Sequence, residues 1–149
     1  DCTDGRFRPT DAITRAEMSE MLVRGLGLGG AAKLLDGKSL PFTDVTSRQG
    51  YIAVAYAIGM TKGMTATTFA PDRSATRAQA AAMIGRTQAK GYALADLTFT
   101  DSAQIPTYAA YYIRAMVGQG VINGYSDGSF KPHSNITRGQ MAKILYNLM

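Results

Sequence analysis

Apolar residues recur along this chain at helical spacing. Behind three threonines, Thr14, Thr76 and Thr137, they form three stripes: Met18, Met21, Leu22 and Leu26; Ala80, Met83 and Ile84; and Met141, Ile144, Leu145 and Leu148. Each threonine stands three residues before Glu17, Gln79 or Gln140. That is the capping-box pattern, in which a hydroxyl and a longer side chain satisfy each other's backbone N–H at a helix start. Three helices are therefore expected to begin at these points. Two more amphipathic helices are expected upstream of the second and third, with Ile52, Ala55, Tyr56 and Gly59 matching Ile113, Met116, Val117 and Gly120 at i, i+3, i+4 and i+7. A glycine at each end suits a left-handed C-cap. The loop that follows carries Gly124, Asp127-Gly128 and Pro132 in one case, for positive φ, a side-chain-stabilised turn and a fixed φ. In the other it keeps Gly63 and Pro71 but has Ala66-Thr67 in place of Asp-Gly, so its turn should differ locally.

These elements belong to one repeated unit. Phe7-Arg8-Pro9 leads to Thr14-Arg15-Ala16-Glu17, Phe69-Ala70-Pro71 to Thr76-Arg77-Ala78-Gln79, and Phe130-Lys131-Pro132 to Thr137-Arg138-Gly139-Gln140. The arginines are 62 and 61 residues apart. Phe42-Thr43-Asp44 and Phe99-Thr100-Asp101 open the second and third copies, and the third has four extra residues between its Asp and Ile113, expected in a loop. The first copy shows only its second half, so the chain is expected to open in the middle of a repeat, through trimming, through proteolysis, or with its complete first repeat upstream. The units expected are 1–33, 34–95 and 96–149. A single helix pair cannot bury its own apolar face, so the three stripes are expected to meet in an all-α, pseudo-threefold bundle of tandem helix-loop-helix repeats.

Composition narrows the function. With 46% apolar and 18% charged residues the chain has the makeup of a folded domain. At 149 residues it can bury about 70% of its unfolded surface. No apolar run approaches the roughly 20 residues of a membrane span. Lys and Arg exceed Asp and Glu by 16 to 11. The net charge of +5 favours an anionic partner, yet the basic residues are dispersed rather than blocked as in a nucleic-acid tail. A DNA-reading helix would expose polar side chains along its length, whereas these helices carry apolar stripes. Cys2 is the only cysteine, which excludes an internal disulfide or a cysteine metal cage and leaves a free thiol. The eight methionines are expected to fill core space.

No catalytic set can be assembled. His133 is the single histidine, in a loop without ligand-spaced neighbours, and no nucleophile triad, phosphate loop or recurring carboxylate pair is present. No metal or cofactor is expected. What does recur is an arginine at the first helical position, Arg15, Arg77 and Arg138, where the helix dipole disfavours positive charge. Two uses are open. With free N–H groups at the helix start it could bind a carboxylate or phosphate, or it could bridge to Asp44 or Asp101 of a neighbouring copy. Tyr108 and Tyr125 stand outside the apolar stripes and could offer aromatic faces to a sugar.

The Phe-x-Asp openings, the Gly59-x-x-x-Gly63 and Gly120-x-x-x-Gly124 spacings, the Asp127-to-Pro132 loop and the Ile13-Thr-Arg-Ala-Glu17 helix start resemble S-layer homology repeats over nearly the whole chain. The resemblance implies a three-pronged spindle whose inter-repeat grooves bind secondary cell wall polymer, in particular pyruvylated N-acetylmannosamine. It implies a secreted, bacterial cell-surface module that anchors a protein non-covalently and has no enzymatic activity, nucleic-acid partner or membrane insertion. Self-association in a surface lattice is the alternative role. The implied ligand set is Arg15, Arg77 and Arg138 facing the pyruvyl carboxylate, with Asp44, Asp101, Gly63, Gly124, Tyr108 and Tyr125. The family's first-helix tryptophan falls on Tyr108 in copy three and on Ser47 in copy two.

Overall fold

A computed structural model describes residues 4–88 and 90–149, so Cys2 lies outside the described residues. Six α-helices follow in order: α1 (Arg15–Gly25), α2 (Gly29–Leu35), α3 (Gln49–Ala57), α4 (Arg77–Gln88), α5 (Thr107–Gly118) and α6 (Arg138–Leu148), with a 3-10 turn at Ser102–Gln104. Among the described residues extended pairing is confined to three isolated bridges, and the chain is all-helical as expected.

The capping boxes start the helices as the sequence predicts. Thr14, Thr76 and Thr137 accept from the N–H groups of Glu17, Gln79 and Gln140 at 3.1, 3.2 and 3.2 Å. The return bonds to the threonine N–H groups measure 2.9, 3.1 and 3.2 Å. The C-termini are equally regular. Gly59 and Gly120 take φ of +76° and +67° just past α3 and α5, and Gly27 does the same at +74° past α1. In each case the next N–H reaches back to the carbonyl of Ala55, Met116 or Val23, the Schellman closure.

At the centre, the residue preceding each threonine links the copies. Ile13 N–H donates to Ile136, Ile136 N–H to Ala75, and Ala75 N–H to Ile13, at 3.1, 2.9 and 2.9 Å. The three backbones close a ring of hydrogen bonds, and all three side chains are fully buried. Around it lie Met18, Leu22, Ile84, Ile113, Met116, Phe130 and Met141, while Phe42, Ile52 and Phe69 form a second cluster under the copy-two loop. Burying each such side chain contributes about 1.5–3 kcal/mol.

Four local expectations change. The helices α1 and α4 pack mainly against α3 and α5, the first helix of the following copy, rather than against one another. Small residues allow this: a Cβ on Gly85 of α4 would lie 2.5 Å from that of Tyr112. Tyr56, expected on the buried face of α3, is 43% exposed with its ring edge-on to Phe42. The four extra residues of copy three do not merely enlarge a loop. They form the 3-10 turn and lengthen α5 to 12 residues against 9 in α3, adding the turn that carries Tyr108. The helix α2 carries no periodic signal strong enough to announce it, and it crosses the boundary expected at residue 33.

Candidate functional site

The site begins with a strained residue. In the three Phe-x-Pro segments the middle residue, Arg8, Ala70 or Lys131, is left-handed, with φ of 49°, 57° and 57°. A side chain there costs about 1–2 kcal/mol, so something must hold it. In copy two Asp44 does so by accepting from the N–H groups of Phe69 and Ala70, both at 2.8 Å. Asp101 repeats this with Phe130 and Lys131, again at 2.8 Å. Both carboxylates titrate below the usual range. At Asp44 the Phe69 N–H is the main cause; at Asp101 partial burial acts the other way and the two N–H bonds outweigh it.

This geometry turns each Phe carbonyl toward the arginine of the preceding copy. Arg15 Nε donates to Phe69, Arg77 Nε to Phe130 and Arg138 Nε to Phe7, at 2.8, 2.8 and 2.9 Å. The same loops also occupy the helix starts. The N–H groups of Arg15 and Ala16 donate to Arg73 and Pro71, those of Arg77 and Ala78 to Ser134 and Pro132, and those of Arg138 and Gly139 to Asp11 and Pro9. With the third N–H capped by threonine, the helix starts have no free donors for an anion. The expected pairing of arginine with open helix N–H groups is therefore corrected. The Arg–Asp bridge is absent too: among the described residues neither Asp44 nor Asp101 forms an ion pair, because both spend their oxygens on backbone.

What remains is the outer edge of each guanidinium, and the three differ. Arg15, 3% exposed, lies over the Phe69 ring at 4.7 Å. It opens into a groove of about 220 Å³ lined by Thr61, Gly63 and Met64 of the copy-two loop, Gln79, Ala82, Met83 and Arg86 of α4, and Tyr108 of α5. Burial lowers its pKa to about 10, with Arg73 and Arg86 adding to the effect and Tyr108 and Asp44 opposing it. Arg77, 4% exposed, sits between the Tyr125 and Phe130 rings at 4.7 and 4.8 Å and donates to Asn123 at 2.8 Å. Its groove, about 230 Å³, is lined by Gly124, Tyr125, Gln140, Lys143, Ile144 and Asn147 among others. Burial lowers the pKa of Arg77 as well. Neither groove has a carboxylate in its lining. Arg138 instead lies 3.5 Å from Glu17, beside a cavity of only about 100 Å³ that also holds Glu20, Met21 and Arg24. A larger hollow of about 270 Å³ between α2 and α3 holds both signs of charge in Lys33, Asp36 and Arg48, and none of the three repeated arginines lines it.

Of the residues the sequence singles out, Arg15, Gly63 and Tyr108 meet in the first groove, and Arg77, Gly124 and Tyr125 in the second. The glycines are there for space: a Cβ would fall 2.4 Å from Phe42 at Gly63 and 2.5 Å from Phe99 at Gly124. Positive φ belongs to Gly63 and Gly128, at +81° and +82°, and not to Gly124. The copy-two turn differs in its side chains, with Thr65 taking the part of Asp127, yet both loops make the same backbone closures, Met64 to Thr68 and Tyr125 to Ser129. His133 is exposed in its loop. Arg86 and Lys143 were not singled out, although aligning the copies puts charged or polar groups at 20, 143, 24, 86 and 147 and would have exposed them.

The sequence profile of the S-layer homology domain matches residues 3–19, 41–81 and 98–142. An endoglucanase of Bacillus sp. (strain KSM-635) is 36% identical over 96% of this chain, which spans 15% of that protein. A cellulosome-anchoring protein of Acetivibrio thermocellus is 30% identical over 95% of the chain, which spans 33% of its length. The surface-layer 125 kDa protein of Lysinibacillus sphaericus is 29% identical over 95%, with 12% of its own length covered. The chain thus spans a third or less of each of these relatives.

Proposed function

The chain belongs to the S-layer homology domain family, and from that premise we propose that it anchors a protein non-covalently to the bacterial cell wall by holding an anionic wall polysaccharide in the grooves of Arg15 and Arg77. The observation that carries this reading is a pair of buried guanidinium groups, each oriented by a neighbouring copy's carbonyl and open to a groove without a carboxylate. A buried cation without an ionic partner carries a desolvation cost that a bound carboxylate offsets. Charge-assisted hydrogen bonds of this kind contribute about 1.5–3 kcal/mol each. Tyr108 and Tyr125 supply flat apolar surface beside the charge, which suits a sugar bearing an acidic substituent, and a pyruvyl ketal on N-acetylmannosamine has that form. Gly63 and Gly124 line the grooves and leave room for the Phe42 and Phe99 rings, so that the loops close beside the arginines, while Asp44 and Asp101 hold the loops that aim the arginines.

The three units 1–33, 34–95 and 96–149 are in this reading set about an approximate threefold axis, as in a three-pronged spindle. The ring of bonds through Ile13, Ala75 and Ile136 supports it. Relatives named as surface-layer and cellulosome-anchoring proteins support attachment rather than catalysis as the role of this chain. The deciding measurement is binding to purified wall polymer with and without its pyruvyl groups. Retention of full affinity by the depyruvylated polymer, or by a chain carrying both Arg15→Ala and Arg77→Ala, would overturn the proposal.

A further inference from the structure

The groove at Arg15 holds a second cation that has no ion-pair partner among the described residues. Gln79, Ala82, Met83 and Arg86 line it from α4 at i, i+3, i+4 and i+7, so Arg86 lies about 10 Å along the helix from Gln79. In copy one the matching arginine, Arg24, is paired with Glu20 at 2.9 Å. In copy three the matching residue is Asn147, which is uncharged and donates to Gly120 and Val121. Copy two keeps the arginine but has Ala82 where copy one has Glu20. Arg86 Nη1 donates to the Met60 carbonyl at 3.0 Å and its guanidinium lies 5.9 Å from the Tyr112 ring centre, but among the described residues it has no ion-pair partner. Two guanidinium groups therefore face one groove of about 220 Å³, and their repulsion adds to the lowered pKa of Arg15.

Like charges brought together in a partly desolvated groove raise the energy of the free protein, and an anion that reaches both relieves it. Resting on the anchoring reading above, we propose that the Arg15 groove is specific for a glycan unit with two acidic groups, the first held by Arg15 and the second by Arg86. The second group is a phosphodiester on the anomeric oxygen or an acidic substituent on the adjoining sugar. The Arg77 groove places its second cation, Lys143, one turn nearer the helix start, so the two grooves read different charge spacings.

Calorimetric titration of the chain carrying Arg77→Gln isolates the Arg15 groove. Three probes are compared: pyruvylated N-acetylmannosamine as its methyl glycoside, the same sugar with an anomeric methyl phosphodiester, and a disaccharide carrying two pyruvyl groups. Arg86→Gln is expected to weaken at least one doubly charged probe by about tenfold and the singly charged one by less than about twofold. The probe affected identifies the source of the second charge. Arg86→Lys, which loses the planar contact to Met60 but keeps the charge, is expected to restore most of that preference. Equal weakening of all three probes, or of none, would overturn the role of Arg86. If none of the three probes binds even with Arg15 and Arg86 intact, the anchoring reading itself falls.

Discussion

Glu17 Oε1 lies 3.5 Å from Arg138 Nη1, whereas the positions matching Glu17 beside Arg15 and Arg77 are the neutral Gln79 and Gln140. One residue of the capping box thus separates the three arginines. An anion arriving at Arg138 must compete with a carboxylate already in place, while Glu20 beside it is held by Arg24 and Arg48.

The expected result is an unequal arginine series. Arg15→Ala and Arg77→Ala should each lower affinity for wall polymer by about tenfold or more, the loss of one charge-assisted contact. Arg138→Ala should lower it by less than about threefold. Binding isotherms on purified sacculi give the three values, and equal losses would show that Glu17 does not quench its groove.

The repeat, the capping boxes and the glycine C-caps were legible in the sequence because each depends on residues a few positions apart. The arginines and both groove tyrosines were legible for the same reason: they recur, or stand outside a stripe. Closure of the helix starts was not, because the carbonyls of Arg73, Pro71, Ser134, Pro132, Asp11 and Pro9 belong to any residue type and leave no side-chain signal. Nor was the left-handed turn at Arg8, Ala70 and Lys131, since none is the glycine that normally marks such a φ. Asp44 and Asp101 recur as ligand contacts would, and nothing in their spacing tells that their oxygens hold the N–H groups of Phe69, Ala70, Phe130 and Lys131.

Ala70 offers a direct test of that strain. Its φ of 57° disfavours any Cβ, and glycine would remove a cost of about 1–2 kcal/mol while losing about 0.5–1 kcal/mol to the greater freedom of the unfolded chain. Ala70→Gly should therefore raise stability by about 0.5–1 kcal/mol in urea unfolding. Lys131→Gly should gain less, because it also removes the 3.2 Å bridge to Asp127 and the contact of Lys131 with the Tyr125 ring at 4.3 Å.

Asp44 links stability to acid. Its folded pKa is held below 3.8, chiefly by the Phe69 N–H, so its contribution is complete above that value and is lost as pH falls through the lower folded pKa. An asparagine at this position would keep one acceptor and turn an amide N–H toward the second backbone donor. Asp44→Asn is expected to cost about 2 kcal/mol near neutral pH and to flatten the acid limb of a stability profile below about pH 4. It should also weaken polymer binding, since the Phe69 carbonyl that aims Arg15 would shift. An unchanged acid limb would remove Asp44 from this account.

Tyr108 tests the aromatic wall of the first groove. Its ring is 50% exposed and stands on the extra turn of α5, and among the described residues its hydroxyl makes no hydrogen bond in the free protein. In the proposed groove the exposed ring face is the contact expected to carry binding. Tyr108→Phe should bind polymer within about twofold of the parent, and Tyr108→Ala about five- to tenfold more weakly, a loss of roughly 1–1.4 kcal/mol of face contact. Folding stability should change by less than about 0.5 kcal/mol, as for a surface substitution. Because Tyr108 does not line the Arg77 groove, its loss and that of Arg77 should add, whereas Tyr108→Ala combined with Arg15→Ala should cost less than the sum. Additivity with Arg15 as well would place Tyr108 outside the site.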